Sequence, residues 1–228
     1  MHWKVARNYE TPKEGDNSYT TPIVFDHEGR EALLVWGGQH LTAHDAADGS
    51  LLWSCGSFNP AETAFWPAVA SPVLVGDVAV VCCGRADRGQ PRLHGIRLGG
   101  AGDVTPTHRL WERDDAGSFV PTPAVYRGRV YVLSDRGAIE CLDSSSGKTL
   151  WSGALPKASA NYYASPLLAD GRLYAAREDG TVFVVRVENG FELLAENRLD
   201  DRIIASPIPL GDRLLLRGEA KLHCVGTP

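Results

Sequence analysis

A Ser/Thr-Pro pair followed by apolar residues recurs along the chain, at Thr21-Pro22, Ser71-Pro72, Thr122-Pro123, Ser165-Pro166 and Ser206-Pro207. The successive spacings are 50, 51, 43 and 41 residues. Self-similarity at such a period constrains the fold more than any other feature, because each copy is one supersecondary unit that must stack on its neighbours. A second marker keeps step with the first: a tryptophan after a short apolar strand, at Trp3, Trp53, Trp111 and Trp151, with Leu194 taking the next place.

Each unit reads as four short strands. In the clearest one, residues 122–126 form the first and Arg127-Gly128 turns the chain. RVYVLS (129–134) is the second, followed by the turn Asp135-Arg136-Gly137, and AIECLD (138–143) is the third. A turn through Gly147 leads to Thr149-Leu150-Trp151, the fourth. Alternation with β-branched and aromatic enrichment marks the strands, and glycine supplies the positive φ of tight hairpins. A sandwich has no reason to repeat one unit every 40 to 50 residues. A propeller has, since every blade buries the same positions against the next. The expected fold is an all-β propeller of four-stranded antiparallel blades in one domain, residues 1–228. Its blades fall near 20–54, 70–112, 121–152, 163–197 and 204–226, and residues 2–6 offer a closing strand. Two readings stay open: a closed ring of five, or the C-terminal part of a ring of seven or eight.

The turn between third and fourth strands carries a more specific pattern. Ala43-His44-Asp45-Ala46-Ala47-Asp48-Gly49-Ser50-Leu51-Leu52-Trp53 and Cys141-Leu142-Asp143-Ser144-Ser145-Ser146-Gly147-Lys148-Thr149-Leu150-Trp151 share one internal spacing. Both resemble the tryptophan-docking motif of the pyrroloquinoline-quinone-like repeat family, which includes quinoprotein dehydrogenases and the outer-membrane assembly lipoprotein B type. The resemblance implies that Asp45, Gly49, Asp143 and Gly147 shape turns, while Trp3, Trp53, Trp111 and Trp151 pack between blades. It also implies a periplasmic or extracytoplasmic setting in bacteria. The segment 185–194 is a decayed copy, and the 93–111 unit keeps only its tryptophan.

Composition excludes several classes. A formal charge of -5 argues against a nucleic-acid partner, which wants clustered Lys and Arg. No run of about 18 apolar residues exists to span a membrane, and Met1-His2-Trp3-Lys4-Val5 is no signal peptide. The five cysteines, 55, 82, 83, 141 and 224, include no C-x-x-C pair, so no zinc or thioredoxin-like site is expected. Ser146-Gly147-Lys148-Thr149 lacks the upstream glycine of a phosphate loop, since position 142 is Leu. Cys82-Cys83 reads as two strand residues, although a ring disulfide of adjacent cysteines covers the quinone in some quinoprotein dehydrogenases. His40 and His44 share no helical face, so no metal site is expected, and no catalytic set is identifiable.

The loops before the first strands are aromatic, at Trp66, Phe119, Tyr162 and Tyr163: blade-edge packing is the first reading, and a ligand face, since interfaces favour exposed aromatics, is the second. The expected function is a non-enzymatic scaffold that presents loops to a protein or small ligand and needs no cofactor. The alternatives are a dehydrogenase using pyrroloquinoline quinone and calcium, or a remnant of one, and a polysaccharide-binding propeller.

Overall fold

The computed structural model describes residues 2–226. Five antiparallel sheets follow one another along the chain, joined as blades of a β-propeller. Blade 1 comprises β1 (Ile23–His27), β2 (Arg30–Gly37), β3 (His40–Asp45) and β4 (Leu51–Cys55). Blade 2 comprises β5 (Val73–Val75), β6 (Val78–Arg85), β7 (Gln90–Arg97) and β9 (Arg109–Arg113). The short β8 (Gly102–Asp103) and helical turn α1 (Thr105–His108) interrupt it before β9. Blade 3 holds β10 (Ala124–Tyr126), β11 (Arg129–Leu133), β12 (Ala138–Asp143) and β13 (Thr149–Ala154). Blade 4 holds β14 (Leu167–Ala169), β15 (Arg172–Ala176), β16 (Thr181–Arg186) and β17 (Glu192–Arg198). Blade 5 has three strands among the described residues, β18 (Ile208–Leu210), β19 (Arg213–Arg217) and β20 (Leu222–Gly226).

The buried side chains divide into four clusters, one per junction between blades. Leu34, Ala43 and Trp53 of blade 1 meet Ala79, Val81 and Ile96 of blade 2. Val80 and Cys82 then meet Val130 and Leu142 of blade 3. Tyr131 and Cys141 meet Leu173 and Phe183 of blade 4. Ala176 and Val182 meet Leu216. Alternate residues of one strand serve opposite junctions, as the two-residue period of a pleated strand requires. Cys82 and Cys83 therefore point to different blades. All five cysteines are free thiols, and burial raises the pKa of both Cys82 and Cys83.

The Ser/Thr-Pro markers hold the first strands together. The backbone N–H of Thr21 donates to the Ser71 hydroxyl, Ser71 N–H to Thr122, Thr122 N–H to Ser165 and Ser165 N–H to Ser206, each at 3.0 Å. One hydroxyl per blade thus satisfies one amide of the blade before it, a rim relay that runs through all five. Proline after each of these residues costs the ladder no donor.

The tryptophan motif spans two junctions. Asp143 accepts from Ser146 N–H, and its carbonyl accepts from Gly147 N–H, which closes the turn. The Ser144 carbonyl is left facing the neighbouring blade, where it accepts from the Trp111 indole at 2.8 Å. The turn at Asp45 repeats this: Ala47 N–H reaches the carboxylate, Gly49 N–H reaches the carbonyl, and Ala46 O accepts from Trp3 at 3.0 Å. Gly49 and Gly147 have φ of +77° and +68°, and a Cβ on either would lie 2.5 Å from the docked indole. The Asp143 turn therefore receives Trp111 from the fourth strand of blade 2, and the Asp45 turn receives Trp3 from the segment before blade 1; neither holds the tryptophan of its own motif.

Register corrects two expectations. A β-bulge places Ala43 opposite Trp53, Gly95 opposite Trp111 and Cys141 opposite Trp151. In blade 4 the same position, opposite Val184, is Ala195. Leu194 instead occupies the bulge, as Leu52, Leu110 and Leu150 do, so the missing indole is replaced by alanine. Residues 2–6 form no strand against β20; Trp3 packs on blade 1 because the Asp45 turn offers it a carbonyl and a bare glycine. The 99–108 stretch between third and fourth strands of blade 2 also carries structure: β8 pairs in parallel with β4, and Val104 is buried between blades 1 and 2.

Candidate functional site

In an up-and-down blade the loops that join blades lie at the same end as the turns between second and third strands. Here the two sets bond to one another. The buried Asp135 carboxylate accepts from Phe119 and Val120 N–H, and Asp135 O accepts from Tyr162 N–H. Burial raises the Asp135 pKa against the opposing pull of those two N–H bonds. Glu178 N–H donates to Asn161 O, and Ala70 N–H to Phe119 O. This end of the molecule is consequently a braced surface and not a set of loose loops.

The aromatic candidates sit largely inside it. Trp66 and Tyr162 are buried, so neither side chain is open to a ligand. Each covers a glycine of the adjacent turn: a Cβ on Gly84 would meet Trp66 at 2.9 Å, and one on Gly137 would meet Tyr162 at 2.8 Å. Phe119 is half-buried beneath the Arg85 guanidinium, 4.4 Å from its centroid, and Tyr163 is half-buried with its hydroxyl accepting from Asn161. Phe65 is the exposed aromatic of these loops.

The cleft of interest lies on this surface at the junction of blades 1 and 2. It measures about 350 Å³ and is lined by Ser57, Phe58, Pro60, Arg92, His94, Glu112, Arg113 and Asp114. Its floor is built where β4 ends. Phe58 is fully buried, edge-on to Trp36 at 4.7 Å and to His94 at 4.8 Å. The Arg109 guanidinium lies 4.6 Å over the Phe58 ring and donates to Gly56 O and to His94 Nδ1. His94 accepts that bond, so its own proton is on Nε2, which is buried without a partner. Burial first, then the Arg109 and Arg92 charges, hold the His94 pKa down to about 3. The imidazole is neutral at pH 7. Glu112, exposed at the rim, lies 3.6 Å from Arg109. The cleft thus sets a rim of both charges over a floor whose aromatic ring is covered by Arg109. Sequence reading missed it, because Leu93-His94-Gly95-Ile96 looks like any strand and nothing links it locally to Phe58.

The docking residues named from sequence divide into two groups. Trp3 meets Gly49 and Trp111 meets Gly147, each indole with a carbonyl acceptor. The indole N–H groups of Trp53 and Trp151 are buried without one. Among the described residues no three His, Cys, Asp or Glu side chains cluster as metal ligands. Cys82 and Cys83, on opposite faces, form no ring-disulfide cover.

Known proteins resemble this chain in sequence and in fold. The family described as outer membrane protein assembly factor BamB matches residues 99–194. BamB of Yersinia pestis is 26% identical over 212 residues, 90% of this chain and 50% of that protein. The solved BamB from Moraxella catarrhalis covers 89% of this chain and 57% of its own, at 16% identity and TM-score 0.64. This chain is similar in sequence and in fold to PQQ-like repeat propellers of the BamB type. Another structure shares the fold: a quinohemoprotein alcohol dehydrogenase from Pseudomonas putida HK5 superposes at TM-score 0.60 and 15% identity, over 95% of this chain and 43% of that one. The tetrathionate hydrolase of Acidianus ambivalens is 27% identical over 174 residues, 67% of this chain and 31% of that protein. The chain thus spans half or less of the length of these two curated relatives. No helix among the described residues is long and apolar enough to cross a membrane.

Proposed function

We propose that this protein is a non-enzymatic binding platform. Its ligand is a polypeptide segment held at the cleft between blades 1 and 2, in an extracytoplasmic compartment. The observation that carries the reading is its similarity, over 90% of the chain, to a protein named as an assembly factor. Two features of the braced surface support it. Its buried ionisable groups are spent on structure: Asp135 on backbone amides, Arg177 on Asp179 and Pro156 O, Arg109 on Gly56 and His94. The cleft offers the exposed Pro60 beside Arg92, Glu112, Arg113 and Asp114, a mix of apolar and charged contacts that a polypeptide can meet.

The test is affinity capture from extract of the native organism, with wild type beside a Glu112→Arg, Asp114→Arg double variant. A partner held by wild type, lost by the variant and cross-linked through a photoreactive group at Glu112 supports the reading. Turnover of an alcohol, sugar or polysaccharide by the purified chain overturns it.

A further inference from the structure

The Ser/Thr-Pro markers put the first hairpins of the blades in register with one another. Nearest the hairpin turn, the pair that faces the next blade is Phe25–Ala32 in blade 1 and Val75–Val78 in blade 2, followed by Ile23–Leu34 and Val73–Val80. All of these side chains pack into their junctions, and Ala32, Leu34, Val78 and Val80 are buried there. In blade 3 the same positions read Tyr126–Arg129 and Ala124–Tyr131. An apolar plug at two junctions is thus replaced, at the third, by a guanidinium between two phenols. A cleft of about 350 Å³ lies there, lined by Tyr126, Arg127, Arg129, Tyr131, Glu188 and Asn189. It is at the end of the blades opposite the braced surface, where first and second strands are joined.

The turn differs as well. Blade 4 has Asp170-Gly171 at its first hairpin, and the Asp170 carboxylate lies 3.4 Å from Arg172, which holds the place of Arg129. Blade 3 has Arg127-Gly128 instead. Arg127 has φ +48°, a left-handed conformation that Asp or Asn accepts more readily than a long side chain. Blade 3 therefore takes on backbone strain and gains a second cation where blade 4 has a carboxylate. Glu188 of blade 4 answers one of the two cations, 3.2 Å from Arg127, whose guanidinium also lies 5.1 Å over the Tyr126 ring. Arg129 is exposed and pairs with no carboxylate among the described residues. It stands beside the buried Tyr131, whose pKa is raised to about 12 by burial against the pull of the Arg129 charge.

We propose that this cleft between blades 3 and 4 binds a small hydroxylated monocarboxylate, of the kind a uronic acid represents, whose carboxylate supplies to Arg129 what Asp170 supplies to Arg172. The Arg129 guanidinium donates to it through two N–H groups. Two arginines stand against one glutamate, so the cleft has a single positive charge to offer and suits a monoanion over a phosphate dianion. Glu188 and Asn189, both exposed at the rim, present an acceptor and an amide to hydroxyl groups. The volume falls within the range of small-molecule sites, about 300–1,000 Å³.

Saturation-transfer NMR and calorimetric titration with glucuronate test this, with glucose and inorganic phosphate as controls. Wild type is expected to bind glucuronate saturably and to bind neither control comparably. Arg129→Ala weakens glucuronate binding by about tenfold or more, the effect of losing a hydrogen-bonded charge pair. Arg127→Asp rebuilds the blade 4 arrangement and supplies the carboxylate from the chain itself, so it abolishes glucuronate binding while raising the melting temperature. Glu188→Gln leaves both cations unanswered, which tightens glucuronate and admits phosphate. The Glu112→Arg, Asp114→Arg variant binds glucuronate as wild type does, so a failure here is separate from a failure at the cleft between blades 1 and 2. Absence of saturable glucuronate binding overturns the proposal. So does equal binding of glucose or phosphate by wild type, and so does glucuronate binding that survives Arg127→Asp in a folded protein.

Discussion

The junction between blades 2 and 3 and the junction between blades 1 and 2 begin from the same sequence device and end differently. At the first, Trp111 is only partly buried, yet its indole N–H reaches Ser144 O and its ring lies on Gly147. At the second, Trp53 is completely buried, yet its N–H has no acceptor. The turn that should receive it has been replaced by the 99–108 segment, where β8 pairs with β4 and Val104 fills the core. That junction is held instead by Arg109, which ties Gly56, Phe58 and His94 together. A repeat position decides where a side chain goes, and the opposing turn decides whether its polar atom is satisfied. Burial and hydrogen bonding are separate contributions here, and only one junction has both.

Truncating the docked indole gives the largest effect. Trp111→Ala is expected to cost about 3–5 kcal/mol in urea unfolding, from lost burial and the cavity left behind. Trp151→Ala, whose N–H has no acceptor to lose, is expected to cost about 1 kcal/mol less. Equal costs would mean that the carbonyl in the Asp143 turn contributes nothing, and the contrast between junctions would fail.

Glycines sharpen the same contrast from the other side. Gly147→Ala forces a Cβ to within 2.5 Å of Trp111 at a φ of +68°, so backbone strain and overpacking act together, for about 2–4 kcal/mol. Gly190, in the decayed turn of blade 4, has φ +140° and nothing within 4 Å of its would-be Cβ. Gly190→Ala then carries strain alone, about 1 kcal/mol. Denaturant midpoints of the two variants measured side by side decide it. At that junction the aromatic comes from the turn itself: Phe191 fills the space over Gly153, so a Gly153 side chain would collide with it.

The irregular junction also has a pH dependence of its own. His94 has its pKa lowered from 6.5 to about 3 by burial, with Arg109 and Arg92 adding to the shift. The unfolded chain therefore binds a proton that the folded chain refuses, and stability falls as pH drops below about 6.5. The loss runs at roughly 1.4 kcal/mol per pH unit, about 2 kcal/mol by pH 5, and levels off near the folded value. His94→Gln keeps an acceptor for Arg109 and removes the titration. Its urea midpoint, compared with wild type from pH 7 to 5, should show a shallower decline. Parallel curves would remove His94 as the cause.

Much of this architecture was readable from residues alone, for a physical reason. Hairpin glycines and alternating strands act locally, so blades appear in sequence as blades. The partner of each motif did not appear, because Asp143 and Trp151 are adjacent in sequence yet serve opposite junctions. The displacement of Leu194 from the tryptophan place follows from a one-residue bulge, which spacing alone does not reveal. Whether Trp66 and Tyr162 pack or face a ligand was not legible, because loops are usually exposed and the bare glycines at positions 84 and 137 that they cover lie far off along the chain. The cleft residues Phe58, His94 and Arg109 lie 36 and 15 residues apart along the chain, and only the stacking of blades brings them together.

The smallest effect is the one that should not distinguish the junctions at all. The Thr122 hydroxyl accepts Ser71 N–H between blades 2 and 3, and the Ser71 hydroxyl accepts Thr21 N–H between blades 1 and 2, both at 3.0 Å. Neither bond involves the tryptophan turns. Ser71→Ala and Thr122→Val each orphan one backbone amide, at an expected cost of about 1 kcal/mol, whichever junction is cut. Hydrogen exchange of the Thr21 and Ser71 amides provides the readout, each accelerating only in the variant that removes its acceptor. A markedly larger loss for Ser71→Ala would show that the rim carries more of the load where the indole is unsatisfied, so that the relay compensates for the decayed turn. Similar losses would establish it as an independent inner bond, indifferent to how the outer strands of each junction are packed.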